Sequence, residues 1–156
     1  MRMKIWLGGD IAPTAENEAL FAAGDVEALF GEAFLARWRE ADARVFNLET
    51  VLTDGGAPIA KVGPNLRAPM QCAAGLRALA PSAVCLANNH AMDFGEKGLA
   101  DTRKALAGIP SFGAGANLAQ ARESAILGDV AIYACAEREF GVAGERSPGT
   151  NPYDPL

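Results

Sequence analysis

The sequence predicts an α/β fold, with a mostly parallel sheet and flanking helices. Three observations carry this. Short apolar runs alternate with amphipathic helical segments along the chain. The run at 83–87 is apolar throughout, as expected of a strand buried on both faces. Polar residues gather directly behind each of three apolar runs, where the carboxyl edge of a parallel sheet would lie.

The elements follow in order. Residues 4–7 read as a first short strand that stops at Gly8-Gly9-Asp10. Residues 16–23 hold one or two helical turns. Residues 27–41 form an amphipathic helix, because Leu29, Phe30, Phe34, Leu35 and Trp38 recur at helical spacing. A second strand, 43–48, ends at Asn47-Leu48-Glu49-Thr50. The stretch 53–69, with Gly55, Gly56, Pro58, Gly63 and Pro64, reads as a long irregular loop. Loops of that length in compact domains are usually functional or mobile. A helix at 71–79 has Pro69 near its start and is broken by Pro81. The third strand, 83–87, is followed by a helix at 96–107, with Leu99, Thr102 and Leu106 inward and Gly108 closing its end. Residues 109–113 give a fourth strand, and 117–122 a helical turn. Residues 124–127 and 130–134 flank Gly128-Asp129, a hairpin signal. From Gly141 the chain reads as irregular.

Half of the 156 residues are hydrophobic, enough for one domain with a core. The net charge of −5 is spread along the chain, and no basic run follows a phosphate backbone, which excludes nucleic acid as the expected partner. Cys72, Cys85 and Cys135 form no CxxC pair, lie in apolar or Ala/Leu-rich segments and read as reduced core thiols. No apolar stretch approaches the roughly 20 residues of a membrane span. The N-terminus is interrupted by glycine too soon for a signal peptide, so the expected location is cytoplasmic.

The candidate chemistry lies in the three polar clusters. Asp10 follows the first strand, Asn47 and Glu49 the second, and Asn88, Asn89, His90 and Asp93 the third. In a parallel sheet these ends share one edge, where ligands bind. Two carboxylates, a carboxamide and an imidazole together suit a divalent cation such as Mn²⁺, Fe²⁺ or Zn²⁺. His90 suits protonation of a leaving oxygen. Taken singly, each residue also suits a plainer role: Asp10 as a helix cap, Glu49 as a solvated loop residue, the asparagines as turn formers, the lone His90 as a hydrogen-bonded structural group. Lys61, Asn65 and Arg67 in the long loop suit an anionic substrate or plain solvation. Gly113-Ala114-Gly115-Ala116-Asn117 reads as a tight strand-to-helix turn in preference to a dinucleotide loop, since a third glycine is missing.

The ordered set Gly9-Asp10, Asn47-Leu48-Glu49-Thr50, Ala87-Asn88-Asn89-His90-Ala91-Met92-Asp93-Phe94-Gly95, Gly98-Leu99 with Asp101-Thr102, and Gly113-Ala114-Gly115-Ala116-Asn117 resembles the capsule-synthesis (poly-γ-glutamate synthesis, CapA-type) proteins of the calcineurin-like metallophosphoesterase superfamily. The resemblance runs over about residues 4–134. It implies a four-layer α/β-β/α sandwich with a dinuclear Mn, Fe or Zn centre. Asp10, Glu49 and Asn89 would then be metal ligands, with Glu49 bridging. His90 would be the catalytic acid, and Asn47, Asn88, Lys61 and Arg67 would meet the substrate. Ala12 stands where the wider superfamily has a histidine, and no histidine follows His90. Residues 1–140 are therefore expected to be the N-terminal part of such a domain, about half the sandwich, and 141–156 an irregular tail at a truncation point. A sheet face left bare would drive homo-oligomerisation. The activity implied is metal-assisted hydrolysis or transfer at a phosphoryl or similar anionic group. The alternative is a non-catalytic module that binds an anionic polymer or a partner in envelope polysaccharide assembly.

Overall fold

The computed structural model describes residues 3–153. Its centre is a four-stranded, all-parallel sheet in the order β1 (Ile5–Ile11), β2 (Ala43–Leu48), β5 (Ala83–Cys85), β6 (Ser111–Phe112). Between β2 and β5 run two short strands, β3 (Val51–Leu52) and β4 (Arg67–Ala68), which pair in parallel beside the main sheet. The α/β class and the parallel sheet agree with the expectation from sequence.

One sheet face carries Phe46, Leu48, Val84 and Leu86, and packs with Trp6 against the helices. Those helices are α1 (Glu18–Ala23), α2 (Val26–Phe30), α3 (Glu32–Arg39), α4 (Ala73–Ala78) and α5 (Gly95–Ala105). Burial of these side chains is the main favourable term in the fold. Trp38 anchors the layer twice: its ring is buried, and its indole N–H donates to the Leu79 carbonyl at 2.8 Å.

The other face carries Val45, Ala83, Cys85 and Phe112. It was expected to lie bare, but a hairpin covers it over β2, β5 and β6. Strands β8 (Ala125–Leu127) and β9 (Val130–Ile132) pair across Gly128-Asp129 and lay Ala125, Leu127 and Ile132 on that face. The uncovered part is at β1, where Leu7 is 67% exposed.

Several boundaries differ from the sequence reading, each for a local reason. The first strand does not stop at Gly8-Gly9. A bulge absorbs the extra residue, and pairing resumes at Asp10 opposite Asn47. The helix read over 27–41 is two helices, because Gly31 adopts φ +77° and turns the chain between α2 and α3. The helix read at 71–79 begins with a single 3₁₀ turn, Met70–Cys72, and becomes α-helical only at Ala73. Within the stretch read as irregular, Arg67–Ala68 is a strand, and Thr53 N–H donates to the Ala68 carbonyl at 3.0 Å. The glycine-rich stretch after β6 is a tight turn. Gly113 sits at φ +85°, where a Cβ would come 2.7 Å from that of Ala87. It leads into β7 (Ala114–Gly115) and α6 (Leu118–Ala121), which Asn117 caps by accepting from Gln120 N–H at 2.9 Å. The segment from Gly141 is sparse in regular structure yet firmly packed. Strand β10 (Gly149–Thr150) pairs antiparallel with β7, and Asn151 is fully buried, donating to the Ala134 carbonyl.

The thiols remain free. Burial raises the pKa of Cys72 and of Cys85 and keeps both protonated, whereas Cys135, read from sequence as a core thiol, is exposed. Alkylation of the native protein near neutral pH, followed by peptide mass spectrometry, should therefore label Cys135 well before the other two; faster labelling of Cys72 would contradict this packing. The contact of α1 with α4 depends on Gly75, where a Cβ would lie 2.9 Å from the Cα and carbonyl oxygen of Phe21. Gly75→Ala should cost about 1–3 kcal/mol by overpacking. Thermal unfolding should show it as a drop of roughly 2–4 °C per kcal/mol.

Candidate active site at the carboxyl edge of the sheet

Because β1, β2 and β5 are parallel and adjacent, their carboxyl ends bring Asp10, Asn47 with Glu49, and the 86–95 loop to one edge. A chain of hydrogen bonds links them. The Asn47 amide donates to Asp10 Oδ1 at 2.7 Å. The Asn88 amide donates to Asn47 Oδ1 at 3.0 Å and to the Leu48 carbonyl at 2.9 Å. Asn88 Oδ1 in turn accepts from the His90 backbone N–H at 3.0 Å. Asn88 thus ties the third loop to the second strand while shaping the turn that presents His90.

The turn then closes helically: Asp93 N–H donates to the His90 carbonyl at 2.9 Å. This i,i+3 geometry sets the two side chains on one side of the turn. His90 Nδ1 lies 2.7 Å from Asp93 Oδ2. A carboxylate acceptor there places the ring proton on Nδ1 and turns Nε2 outward. Nε2 faces Glu49, whose Oε1 is 3.8 Å away. The Glu49 side chain is 28% exposed, so this corner opens to solvent.

Asp93 is the hub of this arrangement, and its side chain is fully buried. Besides His90, it accepts from Leu66 N–H at 2.6 Å and pairs with the Lys61 ammonium, whose side chain is 1% exposed. Its own carbonyl accepts from Ile59 N–H at 2.9 Å. The long loop thereby closes onto the third strand end. Lys61 Nζ also lies 3.2 Å from His90 Nδ1 and 5.2 Å from the Phe140 ring centroid. A buried ammonium with a carboxylate partner is held by that partner, since either charge alone would be strongly disfavoured there.

The sequence-predicted site residues thus fall into two groups. Asp10, Asn47, Glu49, Asn88 and His90 come together at the edge, and Asn89 is exposed in the same loop. Lys61 reaches the site from within, as the partner of Asp93. Arg67 stands apart, exposed, with its guanidinium 5.5 Å from the Phe94 ring centroid and in a hollow with Glu18, Thr53 and Asp54. Asp93 as the orienting residue was not singled out from sequence; its i,i+3 spacing from His90 was the available signal.

As to metal, Asp10, Glu49 and Asn89 are oxygen donors of the kind that hard divalent cations prefer. Among the described residues, however, no three His, Cys, Asp or Glu side chains gather into a metal-holding group. In kind the donors fit such an ion; in number they leave its shell incomplete. Also among the described residues, no helix is long and apolar enough to cross a membrane.

Comparison with known proteins shows the family that the chain matches. Residues 4–154 match the family described as bacterial capsule synthesis protein PGA_cap. A probable polyglutamine synthesis accessory protein of Mycobacterium tuberculosis strain H37Rv is 43% identical over 101 residues, which is 63% of this chain and 27% of that protein. The like-named protein of strain CDC 1551 matches to the same extent. The match therefore spans about a quarter of the length of these relatives.

The buried pair supplies a test. Asp93→Asn leaves the Lys61 ammonium uncompensated and should cost about 3–5 kcal/mol in urea unfolding. The double variant Lys61→Met/Asp93→Asn should lose clearly less than the sum of its singles, because the two residues share one interaction. Additive losses would contradict the pairing.

Proposed function

This chain belongs to the bacterial capsule synthesis protein family, and on that footing we propose that its strand-end edge acts on a phosphoryl or similar anionic group during synthesis of a capsule or poly-glutamate polymer. The observation that carries the reading is the fixed imidazole: Asp93 takes up His90 Nδ1, and Nε2 is turned to the open corner beside Glu49. A ring so oriented, once charged by a proton on Nε2 and steadied in that form by Asp93, can pass the Nε2 proton to a leaving oxygen and return to the neutral form protonated at Nδ1. The exposed Asn89 carboxamide can donate to the oxygens of the anionic group. Asn47 and Asn88 hold Asp10 and the His90 turn in register, and so keep the edge pre-organised.

Asp10, Glu49 and Asn89 are the residues that would hold a divalent cation, with further donors supplied from outside this segment. Such an ion, when bound, neutralises charge on the anionic group. The reaction class is then hydrolysis or transfer at that group.

A second reading is a non-catalytic module that binds an anionic polymer or an assembly partner. The description of the mycobacterial relative as an accessory protein favours it.

Metal titration by calorimetry, paired with turnover of an aryl phosphate, separates the two. On the catalytic reading, Glu49→Ala and Asn89→Ala weaken both metal uptake and turnover. His90→Gln lowers turnover roughly 100-fold or more while sparing metal uptake. Should none of the three change either quantity, the catalytic reading is wrong and the binding module stands.

A further inference from the structure

A pocket of about 440 Å³ lies between α5, the turn from β7 into α6, and the turn at residues 144–147 that leads to β10. Its lining comes from a helix and two turns, not from a strand edge or a sheet face. These walls are pinned to one another. Leu118 N–H donates to the Gly144 carbonyl at 2.7 Å, Gly144 N–H donates to the Ser147 carbonyl at 3.1 Å, and β10 pairs with β7. One face of α5 forms the floor, where Glu96, Leu99, Ala100 and Arg103 recur at spacings of three and four. With Ala116 and Pro148, Leu99 and Ala100 make the lining largely apolar.

Two guanidinium groups stand in this apolar setting. Arg103 is half-buried, and its Nη1 donates to Gln120 Oε1. The same oxygen accepts from Ala116 N–H at 2.8 Å, and Gln120 N–H donates to Asn117 Oδ1 at 2.9 Å. A neutral amide, itself held from two sides, thus fixes the guanidinium. Arg146 lines the pocket from the tip of the 144–147 turn. Among the described residues, neither arginine pairs with a carboxylate, although Glu96 lines the same pocket. A half-buried guanidinium loses hydration, and a neutral amide leaves its charge unmatched. The last turn of a helix favours a cation, but the neighbouring Lys104 has that benefit while fully exposed. The helix end therefore does not account for the tether that holds Arg103 in the pocket.

We propose that this pocket binds a carboxylate with an apolar body. Arg103 and Arg146 take the carboxylate, because a guanidinium fork matches its planar pair of oxygens. Leu99, Ala100 and Pro148 take the body, and Gln120 is a positioning residue. Glu96 stands seven residues before Arg103 on the same helix face, about 10 Å along the axis. It repels a second negative charge at the far end of the ligand, so the ligand is a monoanion. The site is separate from the strand-end edge and rests on neither reading of that edge.

Titration of the whole chain with 4-phenylbutyrate, followed by ¹H–¹⁵N correlation spectra, tests this. The expected result is saturation with a Kd of about 1 mM, with shifts centred on the amides of Ala100, Ala116 and Arg146. Arg146→Met, on an exposed turn, should weaken binding roughly 10-fold or more. Arg122→Met removes an equal charge from the neighbouring hollow and should leave binding unchanged. So should Glu49→Ala at the strand-end edge. Arg103→Met should match Arg146→Met; if it loosens the fold, Arg146→Met decides alone. The amine 4-phenylbutylamine has the same body with the opposite charge, and inorganic phosphate has charge without the body. Neither should give this footprint. An equal footprint from either probe overturns the proposal, as does a 4-phenylbutyrate titration that shows no saturation by about 10 mM. A loss in Arg122→Met as large as that in Arg146→Met overturns it too, because the attraction would then be to overall charge and not to the pocket.

Discussion

The buried contact between Lys61 and Asp93 is the constraint on which the site depends. Neither side chain reaches solvent, so each charge requires the other. Their union closes the long loop over the third strand end and leaves the second carboxylate oxygen for His90 and for Leu66 N–H. From there the asparagine ladder runs through Asn88 and Asn47 to Asp10. Three strand ends far apart in sequence are thereby locked into one edge. Removal of the pair would free the loop, the His90 ring and the edge together.

Much of this was legible in the sequence, for physical reasons. The second strand was read at its observed bounds because its apolar run is sharply framed by polar residues. The strand-end positions of Asp10, Glu49 and His90 followed from the parallel sheet, since topology alone gathers those ends. The hairpin at Gly128-Asp129 followed from its turn chemistry. What escaped the sequence depended on long-range partners. The apolar spacing runs unbroken through Gly31, yet its φ of +77° divides the segment into two helices. The pairing of Arg67–Ala68 with β3 is only two residues long, too short to leave a periodic signal.

The same limit explains the lysine. A charged residue in a glycine-rich loop reads naturally as a solvated or substrate-facing group. Its burial against Asp93 is settled by loop closure across some thirty residues, which no local pattern records. Asp93 itself was visible as part of the third cluster, yet its role needed the helical turn that aligns it with His90. The bare sheet face expected from a half-sandwich was in turn covered by the hairpin, which moved the exposed apolar surface to the edge at β1.

The central claim is that Asp93, with Lys61 behind it, fixes His90 so that Nε2 faces Glu49. The chain has a single histidine, so its imidazole nitrogens can be assigned without ambiguity by long-range ¹H–¹⁵N correlation spectroscopy. In the neutral ring the account predicts a protonated Nδ1 and a bare Nε2, the less common tautomer. A neutral ring protonated at Nε2, with Nδ1 accepting from Lys61, would contradict it.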